Sequence, residues 1–513
     1  MNCFNLIDEP WIPVRLLDGG WTNLGVKDTL LRSREITAIE NPSPLVVAAL
    51  YRFLLAVLYR ALEGPASLEQ ARTIFLDGLP VAKIANYLEK WRGRFWLFHD
   101  RWPFGQIPDF EPKEWRTWTA MAAESNADNA KVLFDHVNVQ NPGEISPSAA
   151  ARLLLAAQTF SVSCGKSELS HTKTAPSATG VMVLPLGRNL HDTLVFALVP
   201  QNGHVFAEDL PIWERDPDSL STLRSNPSRP INGVADRYTW RTRAIRLKPE
   251  PTGNVIHVAF ASGMHFQEGE GEDPMLGYRI DREHGRLPIQ FGERGLWRDF
   301  DSLLPGPQDD GNPPRVLHHA MDLASKSVGR LPRVTLVLGQ ANNKANQAKI
   351  EFWRMERFTL PEALAGDVDI PKELRKLLNQ GEEVQSSLWS ACSRYARNLI
   401  GHGDREPDRK DVRAFLDQMI PIPLYWSTLE TRFHELLQAY TLDKTESEIE
   451  RFWLGSVRDA LRYAWEQHKS SVANGDAWTI RALMKAELPV RKELNSLDKK
   501  ISNLPPLSQK EDA

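Results

Sequence analysis

Arg333-Val-Thr-Leu-Val-Leu-Gly-Gln-Ala-Asn-Asn-Lys-Ala-Asn-Gln-Ala-Lys-Ile-Glu-Phe-Trp-Arg-Met-Glu-Arg-Phe358 holds two strand-like runs around an amide-rich centre. Arg333–Leu338 and Ile350–Phe358 are rich in β-branched, apolar or aromatic residues, whereas Gly339–Lys349 starts on glycine and is polar. That pattern predicts a β-hairpin with a polar tip. The tip carries Gln340, Asn342, Asn343, Asn346 and Gln347, each with both a donor and an acceptor, beside Lys344 and Lys349. Amides beside lysines suit contact with base edges and phosphates. A solvated turn satisfies the same residues, and on composition alone it is the plainer reading.

Outward from this hairpin, the first two-thirds of the chain mixes helix and strand signals. Helix signals occupy Leu45–Leu62, Ser67–Trp91 and Ser146–Gln158. Strand signals occupy Gly180–Leu186, Thr193–Val199, Tyr238–Leu247, Asn254–Ala261 and Arg333–Leu338. Beyond Leu360–Pro371 the strand signals stop and four helical stretches follow: Lys372–Leu399, Asp408–Tyr440, Glu446–His468 and Ala477–Ile501. The second contains Pro421 and Pro423 and is expected to break there. The expected fold class is α+β: a large mixed domain over 1–365, an all-α four-helix bundle over 370–505, and a disordered tail over 506–513.

The 513 residues suffice for two or three domains, and 42% apolar with 25% charged residues is the composition of an ordinary soluble globular protein. A net charge of −4 argues against a surface that coats nucleic acid indiscriminately, while leaving local basic patches open. Cys3, Cys164 and Cys392 are too few and too scattered for a disulfide framework, which fits a reducing cytoplasm. The N-terminus lacks a basic region followed by a sustained apolar run, so no signal peptide is expected. Leu45–Leu62 is apolar but contains Arg52 and Arg60, and opens with the capping pair Ser43-Pro44; it reads as a buried helix.

The catalytic motifs fail in turn. Cys164-Gly-Lys-Ser167 resembles the end of a phosphate-binding loop, but Phe160 stands where the first glycine is required. His99-Asp100 and His191-Asp192 leave a metal-dependent phosphohydrolase of the HD type as an alternative, although neither sits in a helical, histidine-rich context. His318-His319 has no cysteine partner at ligand spacing. No nucleophile elbow and no zinc-protease helix is present. A binding protein is favoured over an enzyme, with no metal and no cofactor; a purely structural interaction scaffold is the further alternative.

Three segments look built for contact. In Asn126–Gln140, Phe134 lies beside Asp135, His136 and Asn138 and can stack on a base, or equally pin a loop to the core. Ser161–Thr179 is small and polar with Gly165 and Lys166, as in loops that follow phosphates and in many surface loops. In Arg237–Lys248, alternation would place Arg237, Arg241 and Arg243 on one strand face and Trp240 on the other. A salt-bridged surface strand is the commoner case.

In their order, these segments resemble the CasA family, the large subunit of the type I-E CRISPR surveillance complex Cascade. The resemblance is carried by Asn5–Val14, Leu133-Phe-Asp-His136, the Tyr238–Leu247 segment, Asp273–Arg279 leading to Gly295-Leu-Trp-Arg298, and Asn346-Gln-Ala348 followed by Ile350. It spans nearly the whole chain. It implies a non-catalytic, cytoplasmic subunit that binds foreign double-stranded DNA at the short flanking motif, the PAM, from the minor-groove side. A glutamine-tipped hairpin then starts strand separation for the guide RNA. By position, Gln347 would be the tip, with Asn346 and Ala348 beside it. Arg279 would take the place of a minor-groove cation that is lysine in a relative. Gly165 and Lys166 would lie in the PAM-contacting loop. Phe134, Asp135, His136 and Asn138 would engage the 5′ handle of the guide and a neighbouring subunit. The implied partners are double-stranded DNA, guide RNA, the other Cascade subunits and a helicase-nuclease, with no membrane. The sequence departs from the family in having one glycine in Ser161–Thr179, where the family loop is glycine-rich. It also lacks the paired cysteines that resemble a zinc site in some relatives, so no structural zinc is expected.

Overall fold

The computed structural model describes residues 3–122, 141–163, 168–201, 207–267, 272–281, 283, 285–292, 294–303, 313–326, 334–342, 350–359, 369–402, 405–442 and 444–506. The chain folds as two compact units. One comprises Met1–Arg294 with Pro305–Phe358, the other Gly295–Leu304 with Thr359–Ala513.

The first unit is built around the helix Pro44–Leu62. Ser43 caps it by accepting the Val46 N–H at 3.3 Å, Pro44 occupies its first turn, and Glu63 ends it at φ +49°. By length and composition this helix could cross a membrane. Here every residue except Arg60 and Ala61 is buried, so its all-round apolar character comes from a central place in the core. Phe53 projects from it into an aromatic cluster, with Trp11, Phe104 and Trp213 ring centroids at 5.7, 5.8 and 5.7 Å.

Two of this unit's antiparallel sheets are built on the central strands Val334–Asn342 and Ile12–Leu16. The hairpin strand Val334–Asn342 lies between Ile350–Thr359 and Met182–Leu186. Its pairing with the latter runs from Val334 opposite Leu186 to Leu338 opposite Met182. Near the N-terminus, Ile12–Leu16 pairs with Trp21–Leu24 on one side and Ile36–Ile39 on the other.

Three sequence expectations are corrected. Thr193–Val199 is not a strand: Leu190–Ala197 is a helix, capped by Asn189 accepting the Asp192 N–H at 2.9 Å. All eight of its residues are buried, so the sequence shows a short apolar run without helical period. Tyr238–Leu247 is not one strand. Val234–Tyr238 is helical, and the strand is Arg243–Pro249, paired with Val255–Ser262. Ser67–Trp91 is interrupted at Gly78–Pro80 into helices Leu68–Asp77 and Val81–Trp91, as a glycine at φ +107° and a proline without an N–H require.

The second unit is a helical bundle. Its four long helices are Ile370–Ile400, Pro421–Ala439, Glu446–Ser471 and Leu488–Ser502, joined by the shorter Arg409–Leu416 and Ala477–Ala486. The proline break expected in the second stretch falls before Pro421. Glu446–Ser471 starts with a full capping box between Thr445 and Glu448. The segment Leu296–Leu303, distant in sequence, plugs this bundle. Trp297 packs on Trp426, Phe433 and Trp453 at 5.7, 5.3 and 6.5 Å. Arg298 lies 3.6 Å over the Trp426 ring and donates a two-pronged pair to Glu382 at 2.9 and 2.8 Å.

Candidate nucleic-acid interface

The expected hairpin forms, but its amides divide into two groups. Gln340, counted above with the tip, is a buried strand residue whose Nε2 donates to the Phe160 carbonyl at 2.9 Å. It therefore ties the hairpin root to the C-terminal end of the helix Pro147–Phe160. Gly339 precedes it at φ +155°, and a Cβ there would stand 3.0 Å from the Gly180 carbonyl oxygen and 3.4 Å from the Phe291 ring. Glycine is required at this close approach. Asn346, Gln347 and Ala348 lie outside the described residues.

The second segment, Ser161–Thr179, starts directly after Phe160. Ala175 N–H donates to the Ser161 carbonyl at 2.8 Å, Ser163 N–H to Thr174 Oγ1 at 3.1 Å, and Ser163 Oγ to the Thr172 carbonyl at 2.9 Å. Arg243 clamps both legs from beneath, with Nη1 on the Lys173 carbonyl at 2.9 Å and Nη2 on the Val162 carbonyl at 2.7 Å. Its own backbone exchanges two hydrogen bonds with the Gln158 amide, each 2.9 Å. The basic strand face expected from Arg237, Arg241 and Arg243 is thus absent. Arg243 and Arg241 are buried, Arg241 pairs with Asp218 at 2.9 Å, and Arg237 sits in the short helix. Trp240 is buried too, its Nε1 donating to the Met264 carbonyl. Alternation misread the segment because these guanidinium groups serve internal carbonyls and a carboxylate. Gly165 and Lys166, between the clamped legs, lie outside the described residues.

The third root is a buried ion pair. Arg52 Nη1 meets Asp273 Oδ2 at 2.7 Å, with the two side chains 2% and 0% exposed. Ser177 Oγ donates to the same oxygen at 2.5 Å, and Arg52 stacks over Tyr238 at 4.1 Å. Burial pushes the Asp273 carboxyl up, but Arg52, Arg237 and Ser177 outweigh it and hold it below the ordinary carboxylate value. Asp273 Oδ1 accepts the Met275 N–H at 3.0 Å, and the Asp273 N–H donates to the Tyr278 hydroxyl at 2.9 Å. Tyr278 opens the small hairpin Tyr278–Asp281/Gly285–Pro288, in which exposed Arg279 stands opposite Leu287. One charge cluster joins the core helix, the second leg of the Ser161–Thr179 loop and the hairpin that carries Arg279. Arg52 was visible in the sequence only as an interruption of an apolar helix; its partners lie more than a hundred residues away.

Met182–Leu186 closes the arrangement. One side pairs with the main hairpin, and on the other Val183 and Val181 N–H donate to the Met275 and Ile289 carbonyls, both at 2.8 Å. The two hairpins and the polar loop therefore spring from one base. The fourth segment, with Phe134, Asp135, His136 and Asn138, lies outside the described residues. Its flanks are set by Trp118 Nε1 donating to the Gly143 carbonyl at 3.0 Å and by Ile145 bridging Val255.

His99 and His191 of the phosphohydrolase reading, and His319 of the separate histidine pair, have structural work. His99 Nδ1 accepts the N–H groups of Arg101 and Trp102, both at 3.0 Å. His191 lies on the buried helix, stacked on Phe75 with Nε2 at 3.1 Å from the Phe75 carbonyl. His319 is buried 3.3 Å from the Val195 carbonyl, and burial lowers its pKa to about 4.

The family model for CRISPR-associated protein Cse1 matches residues 5–464. The CasA/Cse1 protein of Thermus thermophilus is 33% identical over 510 residues, covering 97% of this chain and 98% of that protein. A solved structure of Thermus thermophilus CasA (Cse1) superposes with a TM-score of 0.84 at 29% identity, covering 97% of this chain and 100% of that one. A chain of a solved CRISPR RNA-guided surveillance complex gives 0.72 at 19% identity over 96% and 99% of the two chains, a likeness of fold alone. By a family match over most of its length and a one-third-identical relative along nearly all of it, this chain belongs to the CRISPR-associated Cse1 (CasA) family.

Proposed function

We propose that the chain is the non-catalytic large subunit of a type I-E CRISPR RNA-guided surveillance complex, acting in the cytoplasm on foreign double-stranded DNA. It reads the PAM and starts strand separation with the hairpin tipped by Gln347. The observation that carries this reading is the common base of the two hairpins and the polar loop. Asn346, Gln347 and Ala348 belong to one of these elements, Arg279 to another, Gly165 and Lys166 to the third. Separate DNA-contacting loops act together only if their roots hold a fixed spacing. Buried hydrogen bonds from Gln340 and Arg243 and the Arg52–Asp273–Ser177 cluster supply that rigidity.

In this mechanism Arg279 enters the minor groove of the flanking duplex, where few base-pair features are distinguishable, so the flank is read loosely. Gln347 occupies the space of the first target step, and guide pairing takes over the sequence reading. Phe134, Asp135, His136 and Asn138 hold the guide handle and a neighbouring subunit. The opened complex then recruits the helicase-nuclease. Engagement of His99 and His191 in local hydrogen bonds supports the non-catalytic reading over the phosphohydrolase one.

Binding of PAM-containing duplex by the reconstituted complex tests this assignment. Arg279→Ala is expected to weaken binding about tenfold and to reduce the salt slope by about 1, as for one lost phosphate-proximal cation. Unaltered affinity at every salt concentration would remove Arg279 from the interface.

A further inference from the structure

A groove of about 600 Å³ lies in the first unit between the ends of its two main sheets. Arg15 and Glu40 reach it from the N-terminal sheet, Leu186 and Arg188 from the strand Met182–Leu186 and its exit, Val334 and Arg357 from the outer end of the main hairpin. Three guanidinium groups thus line it against one carboxylate, and Glu40 lies 3.6 Å from Arg15. Arg188 and Arg357 are exposed. This local cationic surface belongs to a chain whose net charge is −4. Guanidinium forks match the oxygens of phosphate, as of carboxylate, in pairs.

We infer that this groove binds the phosphodiester backbone of the duplex upstream of the PAM, fixing the direction in which the DNA enters. The inference rests on the proposed function and extends it. Val334 and Asn342 are the two ends of one strand, so the groove stands about 26 Å from the tip end of the strand at about 3.3 Å per residue. Duplex rises about 3.4 Å per base pair, so DNA lying along the hairpin would bring phosphates to the groove about seven or eight pairs beyond the level of Asn342. An acidic protein segment would be served by the same charges, but nothing would tie it to the hairpin axis.

The test uses the reconstituted complex and two target duplexes, one ending at the PAM and one with about fifteen base pairs beyond it, so that only the second reaches the groove. The variants are Arg188→Ala/Arg357→Ala and the charge-keeping Arg188→Lys/Arg357→Lys, each checked for an unchanged Tm. The alanine pair is expected to lower affinity for the long duplex about tenfold and its salt slope by about 2, with the short duplex unaffected and the lysine pair close to wild type. Fluorescence of 2-aminopurine at the first target base pair, read in the same samples, reports the hairpin separately. A wild-type rate of opening on the short duplex with lost long-duplex affinity supports the groove. Loss of opening with intact flank dependence counts against the wedge, not the groove. Equal affinities of the wild type for both duplexes, or equal losses on both, overturn the inference. Normal DNA binding with a complex that falls apart overturns it in favour of an acidic partner protein.

Discussion

Arg52 and Asp273 show how much one residue pair can control. They are fully buried, and Ser177 shares the carboxylate. Removal of one partner leaves the other charge buried, so Arg52→Ala is expected to destabilise the first unit by about 3–5 kcal/mol, read from the denaturant midpoint. The pH dependence follows from the lowered pKa of Asp273. A carboxyl with a depressed folded pKa contributes stability that is complete above its unfolded value near 3.9 and disappears as pH falls through the folded value. The wild type should therefore lose Tm between about pH 5 and the folded pKa, and Asp273→Asn should flatten that limb while lowering Tm at neutral pH. An identical acid limb in the variant would show that other groups carry it. Little of this pair was legible beforehand: sequence displayed a single arginine in an apolar helix, and separation by 221 positions hid the carboxylate.

At the scale of elements, the hairpin Val334–Thr359 was legible because period, glycine and polar centre agree. The helix Leu190–Ala197 was not, because complete burial erases the polar face that reveals a helix. Gln340 was placed at the tip on composition, and only the packing shows that it is an anchor. Gln340→Leu should cost about 1–3 kcal/mol through the unpaired Phe160 carbonyl and also slow duplex opening, although residue 340 touches no DNA. A stability loss without slower opening would reduce Gln340 to a structural role. In the bundle, Trp297→Ala removes an indole that meets three aromatic rings and should destabilise the helical unit by about 3–5 kcal/mol, followed by far-UV circular dichroism. A cost below about 1 kcal/mol would contradict the plug, since cavities of this size collapse poorly. Sequence periodicity identified the bundle helices but had no means of assigning Leu296–Leu303 to them.

For the whole molecule, fold class was readable because strand signals stop before Pro371, and the family was readable from the order of individually weak motifs. The common base of the two hairpins and the loop was not readable, because it depends on hydrogen bonds between residues 81 and 180 positions apart. That base holds the roots of separate loops at a fixed spacing, and the proposal that these loops form one surface that opens duplex is the centre of the account. The most direct measurement is the rate at which 2-aminopurine in the first target base pair brightens when the reconstituted complex meets PAM-containing duplex. With Asn346→Ala/Gln347→Ala, the account predicts opening slowed at least about tenfold, the equivalent of about 1.4 kcal/mol in the barrier, with initial duplex binding little changed. Opening at the wild-type rate would contradict it.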